Sequence, residues 1–310
     1  MIIDEIRKGL ERHVQHRLWF VSDLQQRQPD RARRCMTLAM DDFLSLHLDP
    51  EVICYLGDAT EGENLSHIRE MAQMQVDQLA RVDAPIYYVV GNHDFDYFRA
   101  HHRECQGMYI PFVEHVRGLH QWHVPASYLE MGSIVDLGDI ALLLLTDHAD
   151  PEGTWFTTHG EIRGFSDEYP YRKDAYEALM QTVRDLHKPV ISGSHYAFAG
   201  GNRAARLFDR FLPLPDNIRI HFYGHAHVGD VRWAGKDAHR KISSVDGQPI
   251  VQIDVASLES GRGSAVRSVI MEWYDTHEIG VYFRNHALGV WDDVLIIREG
   301  DCQFVPLKDE

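Results

Sequence analysis

Five short apolar runs in this chain stop at the same kind of boundary. Tyr87-Tyr88-Val89-Val90 is an aromatic and β-branched stretch of the type that forms a buried strand, and Gly91-Asn92-His93-Asp94 cuts it off. The design recurs where Trp19-Phe20-Val21-Ser22 meets Asp23-Leu24-Gln25 and where Val52-Ile53-Cys54-Tyr55-Leu56 meets Gly57-Asp58. It appears again where Val190-Ile191-Ser192 meets Gly193-Ser194-His195 and where Ile220-His221-Phe222-Tyr223 meets Gly224-His225-Ala226-His227. Sheets covered by helices gather their ligands at the carboxyl ends of strands, so five such ends can converge on one point.

The segments between these runs supply the helices. Residues 1 to 18 carry Ile3, Ile6, Leu10 and Val14 at spacings of three and four, which predicts a short amphipathic helix feeding a strand at 18 to 22. Arg31 to His47 predicts a helix with Met36, Met40, Phe43, Leu44 and His47 on one side, and a strand at 52 to 56 follows. Asn64 is the expected N-cap of a helix to about Val82 whose apolar face is Met71, Met74, Val76 and Leu79, leading to a strand at 86 to 90. This βαβαβ order predicts a parallel sheet with crossover helices. Residues 95 to 133 break the rhythm, with helical stretches around Asp96 to Cys105 and Pro111 to Gly118 and no clear strand, and read as an insertion over the site.

Ile134 to Leu145 reads as strand, Gly138-Asp139 turn, strand, which begins antiparallel pairing and a second sheet. Residues 147 to 172 are too punctuated by Gly and Pro for regular elements and are long enough to be a functional loop. A helix at 173 to 187 with Tyr176, Leu179, Met180, Val183 and Leu186 at helical spacing, a strand to His195, a helix at about 202 to 211 and a strand at 218 to 223 complete the middle of the chain. From 228 to 310 the alternation in 250 to 255, 266 to 274, 280 to 284 and 294 to 298 predicts antiparallel strands. No repeat or linker interrupts the 310 residues, so one domain spanning 1–310 with two sheets is the economical reading.

Composition narrows the partners. A formal net charge of −16 argues against duplex nucleic acid as the main partner, because phosphate neutralisation needs clustered Lys and Arg. Cys35, Cys54, Cys105 and Cys302 show no Cys-x-x-Cys spacing, and Cys54 sits inside an apolar run, as a reduced buried thiol would. The segment Met1 to Lys8 is charged early without an apolar leader, and no window nears the roughly 18 apolar residues of a membrane span. A soluble, cytoplasmic protein with no membrane partner is the expectation.

The strand ends collect Asp23, Gln25, Asp58, Asn92, His93, His195, His225 and His227. These are oxygen and imidazole donors without thiolates, a set suited to Mn, Fe, Zn or Mg. Two carboxylates and several imidazoles exceed one ion's needs, so two ions bridged by a carboxylate fit better. Any one of these residues alone would read as a cap or a satisfied polar group; five consecutive strand ends of ligand type do not.

In that order the motifs Asp23-Leu24-Gln25, Gly57-Asp58, Gly91-Asn92-His93-Asp94, Gly193-Ser194-His195 and Gly224-His225-Ala226-His227 resemble those of the calcineurin-like metallophosphoesterases, over residues 19 to 227. The resemblance implies a four-layer α/β/β/α sandwich with two mixed sheets and a di-metal phosphoester hydrolase. It implies that Asp23, Gln25 and His227 hold one ion and that Asn92, His195 and His225 hold the other, with Asp58 bridging. It further implies hydroxide attack on phosphorus between the ions, with His93 as general acid and Asp94 orienting its ring. Gln25 departs from the usual His; an amide oxygen is a neutral, harder donor, and a similar Gln occurs in manganese-dependent ADP-ribose/CDP-alcohol diphosphatases, so Mn is the expected metal. Two divalent ions, two carboxylates and one hydroxide leave about +1 at the site, which suits an anionic substrate.

Specificity is less well marked. Arg27, Arg31, Arg33 and Arg34 follow the first motif and could grip a second phosphate, against the plain alternative of a solvated helix face. Trp155, Phe156, Tyr169, Tyr196 and Phe198 could stack on a base or simply pack in a core, and His148 and His159 read as exposed polar residues. Arg27, Trp155 and Tyr196 are the candidate substrate contacts, and a small phosphodiester, nucleotide or diphosphate the expected substrate class. A phosphomonoesterase, a single-strand nuclease and a catalytically silent metal-binding scaffold are the alternatives.

Overall fold

Side-chain alternation along the first strand sorts the interior into layers. The computed structural model describes residues 12–62, 64–101, 110–126, 130–146, 155–157, 160–162, 173–198, 214–227, 240–245, 248–260, 265–298 and 301–304. The chain lays down β1 (Val14–Val21), α1 (Pro29–Ser45), β2 (Val52–Tyr55), α2 (Leu65–Leu79), β3 (Ile86–Tyr88), a 3-10 turn (His93–Phe95), α3 (Asp96–His101), α4 (Pro111–Val116) and β4 (Trp122–His123). There follow β5 (Gly132–Asp136), β6 (Ala141–Leu145), β7 (Trp155–Thr157), β8 (Gly160–Ile162), α5 (Lys173–Asp185), β9 (Val190–Ser194), β10 (Ile218–Tyr223), β11 (Arg240–Val245) and β12 (Gln248–Asp254). The C-terminal part adds β13 (Arg267–Tyr274), β14 (Ile279–Asn285), β15 (Val290–Arg298) and β16 (Asp301–Phe304).

On β1, Trp19 and Val21 point to one core with Ile53 and Tyr55 of β2, while Leu18 and Phe20 point to another with Val52, Cys54 and Leu56. The first core is closed by α1 through Met36, Met40 and Phe43 and by α2 through Met71 and Leu79, as the apolar spacings predict, with Ile68 added to the α2 face; His47, expected on the α1 face, is exposed past the helix end at Ser45. The second core lies between two sheets, where Phe20 stacks on Phe222 of β10 at 3.9 Å. A third core packs Met180 and Val183 of α5 against Ala141, Leu143 and Val190 on the far face of the second sheet. The result is the expected α/β/β/α sandwich with two mixed sheets. The first sheet runs β16-β15-β14-β13-β1-β2-β3-β4 and the second β11-β12-β10-β9-β6-β5, with β1 to β4 parallel and β6, β9, β10 and β12 parallel.

Asn64 caps α2 as expected, its side-chain oxygen accepting from the amides of Ser66 at 2.9 Å and His67 at 3.2 Å. Several other expectations change. Val14 lies in β1 and not in a helix, because pairing with β13 sets Val14 opposite Tyr274 and Arg17 opposite Glu272, and tertiary pairing overrides the helical spacing. The rest of that proposed helix lies outside the described residues. The segment called an insertion over the site contributes its described part to the sheet and the first core: Phe112, Val113 and Trp122 are buried there, and β4 extends the sheet beyond β3. The C-terminal strands, expected to be antiparallel, are divided: β11 and β12 join the second sheet, where β12 runs parallel to β10 and antiparallel to β11, and β13 to β16 join the first. The long loop 147 to 172 contains the antiparallel hairpin β7-β8, and the helix at 202 to 211 lies outside the described residues.

His16 offers a test of the contact between sheets. One ring nitrogen lies 2.7 Å from Glu51 before β2 and the other 2.5 Å from Asp139 in the β5-β6 turn. Partial burial works against the imidazolium, but the two carboxylates outweigh it and hold the His16 pKa above the ordinary value. A raised folded-state value means that the stabilisation is complete below about pH 6.5 and fades as pH rises through the folded value. The Tm gap between the wild-type protein and His16→Gln, measured by calorimetry, is expected to be widest near about pH 6 and to narrow toward about pH 9. A gap independent of pH would show that His16 acts by packing alone.

Candidate active site

Register sets the five strand ends level. Val21 pairs with Tyr55 and Tyr55 with Tyr88 in the first sheet, and Ser194 pairs with Tyr223 in the second, so the polar residues that follow emerge side by side. Backbone hydrogen bonds then lace the turns together: the Asp23 amide donates to Gly57 O at 3.0 Å and the Gln25 amide to Asp58 O at 3.1 Å. Three glycines make this approach possible. A Cβ on Gly57 would lie 2.5 Å from the Gly91 amide, one on Gly91 would lie 2.2 Å from Asp58 Oδ1, and one on Gly224 would lie 2.1 Å from Ser22 Oγ.

The donors occupy strained backbone. Asp23, Asp58, His225 and His227 account for four of the eight non-glycine residues with positive φ among the described residues, at 57°, 53°, 65° and 48°. Such conformations cost about 1 to 3 kcal/mol each and persist where the surroundings enforce them, so half of this strain is concentrated in one cluster.

Asp58 is its centre. Its Oδ1 accepts the His93 amide at 2.7 Å, and its Oδ2 lies 3.3 Å from His195 Nε2. His195 donates Nδ1 to Leu56 O at 2.7 Å, and its Nε2 is 3.0 Å from Asn92 Oδ1, which also accepts the Tyr196 hydroxyl at 3.2 Å. On the other side His227 Nε2 lies 2.9 Å from Asp23 Oδ1 and 3.2 Å from Gln25 Nε2, while the His225 amide donates to Asp23 Oδ2 at 2.8 Å. The His225 ring meets those of His195 and Tyr196 edge to face at 5.1 and 4.7 Å. All seven expected metal donors are therefore brought together. Asp58, His195 and His225 have potential ligand atoms within 4.8 Å of one another.

The cluster fits cations. Gln25 Oε1, Asp58 Oδ2 and Asn92 Nδ2 are buried and have no hydrogen-bond partner, and two of the three are oxygens that can donate a lone pair to an ion. The charges agree. Burial opposes ionisation of Asp23, yet His227 beside it holds the carboxyl well below the usual range. Burial likewise opposes the imidazolium of His195, but Asp58 and Asp23 outweigh it and raise its pKa to about 10.

Two expectations about the proton-transfer residues separate. His93 is nearly buried beside the cluster, but the group that orients its ring is Asp96, whose Oδ2 lies 2.9 Å from Nδ1. Asp94 does not orient that ring; its carboxylate is engaged by the amides of Gly91 at 2.7 Å, Asp58 at 3.1 Å and Ala59 at 3.2 Å and by the Tyr88 hydroxyl at 2.5 Å. Burial first and Asp58's charge second push the Asp94 pKa up to about 7. The only sequence signal for Asp96 was its position three residues after His93, one helical turn away. Sequence reasoning also missed Glu61, whose potential ligand atom falls within 4.8 Å of those of His93 and Asp96.

The candidate substrate residues differ in fate. Arg27 is exposed and donates to Glu61 at 2.9 Å, while Arg33 and Arg34 are exposed and Arg31 partly so on α1, with Arg33 paired to Glu70 at 3.5 Å. Tyr196 is buried against Asn92, and Phe198 is fully buried and stacks on His221 at 3.8 Å, a packing role. Trp155 lies on β7, its side chain outside the description together with that of Phe156; His148, His159 and Tyr169 lie outside the described residues.

Comparison with known proteins bears on the same stretch. The calcineurin-like phosphoesterase profile matches residues 16–229. No curated protein sequence matches significantly. Among solved structures, a dimetal phosphatase from Danio rerio aligns over 88% of this chain and 97% of its own at 9% identity and a TM-score of 0.55. Purple acid phosphatase PPD1 from yellow lupin (Lupinus luteus) seeds aligns over 91% of this chain and 53% of its own at 13% identity and a TM-score of 0.50. Identities this low speak to the fold alone. The profile match runs from β1 through the last of the five strand-end motifs, and with it the chain belongs to the calcineurin-like phosphoesterases, a family of hydrolases that act on phosphoester bonds and bind two divalent metal ions.

Proposed function

We propose that this chain hydrolyses a small phosphodiester or a nucleotide-type diphosphate. The observation that carries the reading is the convergence of seven donors from five strand ends, six of them around Asp58, with buried atoms of Gln25, Asp58 and Asn92 left without hydrogen bonds. Asp23, Gln25 and His227 would hold one divalent ion, Asn92, His195 and His225 a second, and Asp58 would be shared. Manganese is the ion we assign, because Gln25 offers a neutral oxygen and the set has no thiolate; Fe, Zn and Mg are compatible. When bound, such ions draw charge from phosphoryl oxygens and acidify water.

The protein's own groups divide the remaining work. His93 hands a proton to the departing oxygen. Asp96 accepts from its Nδ1, which fixes the ring; burial opposes the imidazolium but Asp58 and Asp96 outweigh it, and the imidazolium so favoured carries its transferable proton on the other nitrogen. Asp94 holds the turns that carry Asp58 and Asn92, a positioning role. Arg27 is tethered by Glu61, whose carboxylate lies near His93, and this proximity to the acid is what supports Arg27 as a substrate contact. A second phosphate there meets a fork of donors, and remote binding energy can serve the chemical step. The buried thiols Cys35 and Cys54 support a reducing, cytoplasmic setting, and the described strands and helices support a single domain. Among the described residues no helix is long and apolar enough to cross a membrane.

Three measurements test this. Purified protein given Mn²⁺ is expected to cleave bis(p-nitrophenyl) phosphate and to lose that activity on chelation; folded protein inert with every divalent metal would instead be a silent scaffold. His93→Ala is expected to cut turnover by about 10² to 10⁴-fold with metal content retained, while Asp58→Ala loses metal too. Loss of metal in both variants would remove His93 from the acid role. In a substrate screen, small diesters and nucleoside diphosphate derivatives are expected to show higher kcat/KM than phenyl phosphate or phosphopeptides, and Arg27→Ala to narrow that preference. Phosphopeptides or phenyl phosphate leading the screen would overturn the substrate class.

A further inference from the structure

We propose that Glu259, which lies beyond the stretch matched by the family profile, is a positioning residue for His227. The inference rests on the metal-holding reading above. Glu259 is 3% exposed, and its Oε1 stands 2.9 Å from His227 Nδ1, a charge contact whose angle is not that of a hydrogen bond. Its Oε2 accepts from Gln26 Nε2 at 2.6 Å, one residue after Gln25. The backbone delivers it there. Leaving β12, the chain turns at Ala256 with φ 65°, the Leu258 amide donates to Ser22 O at 2.9 Å and the Glu259 amide to Asp23 O at 3.1 Å. The segment thus lies along the first motif and carries its carboxylate under the last one.

The two nitrogens of His227 are divided by this arrangement. Nδ1 faces Glu259, whereas Nε2 faces Asp23 Oδ1 at 2.9 Å and Gln25 at 3.2 Å, inside the donor set. A carboxylate this close to one nitrogen of a ligating imidazole favours the proton on that nitrogen by its charge and strengthens the opposite lone pair; losing such a partner costs typically about 10 to 100-fold in metal affinity. The effect matters more where a neighbouring ligand is weak. Gln25 is a neutral amide at a position where an imidazole is usual, so the ion assigned to Asp23, Gln25 and His227 depends more on the quality of His227. A buried carboxylate is itself costly, which makes Glu259 an expensive residue to keep for packing alone.

The test is Mn²⁺ binding by isothermal titration to the full chain after chelator stripping, with Tm of the stripped protein as a control for folding. The wild type is expected to bind two ions. Glu259→Gln is expected to weaken one of them by about 10 to 100-fold and to leave the other unchanged. His227→Ala should lose that same ion, and Gln26→Leu, which removes a second partner of Glu259, should keep both. Glu259→Gln binding like the wild type while His227→Ala loses an ion would overturn the role of Glu259 and leave the metal assignment standing. Gln26→Leu weakening the site as much as Glu259→Gln would mean that Glu259 acts by bracing the loop, and would also overturn it. Two ions bound equally well by His227→Ala would defeat the metal assignment itself.

Discussion

A buried carboxylate with four donors around it holds this site together. Asp94 takes the amides of Gly91, Asp58 and Ala59 and the hydroxyl of Tyr88, and by doing so it pins the turn after β2 to the turn after β3. Those turns meet so closely that neither Gly57 nor Gly91 has room for a Cβ. Everything assigned to the ions depends on that junction, because Asp58 and Asn92 project from its two halves. The left-handed backbone of Asp58 is otherwise unfavourable, and this network supplies the enforcement. Asp94 therefore acts at a distance from the chemistry, through the backbone.

Much of this was readable from the sequence, for physical reasons. Strand ends and motif glycines are local signals: an apolar run stops, and a polar residue of ligand type follows. That is why Asp23, Gln25, Asp58, Asn92, His195, His225 and His227 converge as expected. The α1 and α2 faces were readable because helical spacing is imposed by one element on itself. What failed was long-range. Val14 carries a helical spacing, yet its partner Tyr274 lies across the chain, and no local pattern announces that pairing. The division of the C-terminal strands between two sheets is a choice of partner, and alternation is the same whichever partner is chosen. The contact of Asp96, and not Asp94, with the His93 ring is a local matter that spacing alone does not decide: two acidic residues either side of Phe95 are distinguished by where the 3-10 turn points them.

That division of the C-terminal strands has a consequence for the site. Because β12 joins the second sheet beside β10 and β13 joins the first beside β1, the connection between them must pass from one sheet to the other. It does so at the carboxyl ends of β10 and β12, where Leu258 and Glu259 hydrogen-bond to Ser22 and Asp23. Residues outside the matched stretch thus come to line the centre as a result of topology, without a motif of their own.

Two histidines on neighbouring strands act as internal probes of the field around that centre. His221 on β10 is fully buried and faces Ser192, Ser194 and the Tyr196 carbonyl; burial pushes its pKa down to about 3, so it stays neutral. His195, just past β9, is buried as deeply, yet it is driven to about 10 because Asp58 touches it and the charge of Asp23 is near. The same formal charge of −16 surrounds both rings. Had the acidity of the whole protein set the local potential, both imidazoles would have moved in one direction. Their divergence traces the attraction for cations to two buried carboxylates, Asp58 in contact with His195 and Asp23 near it, whose field in a water-poor interior is strong and short in reach. An acidic protein can therefore present a centre that gathers divalent ions and, through them, an anionic substrate.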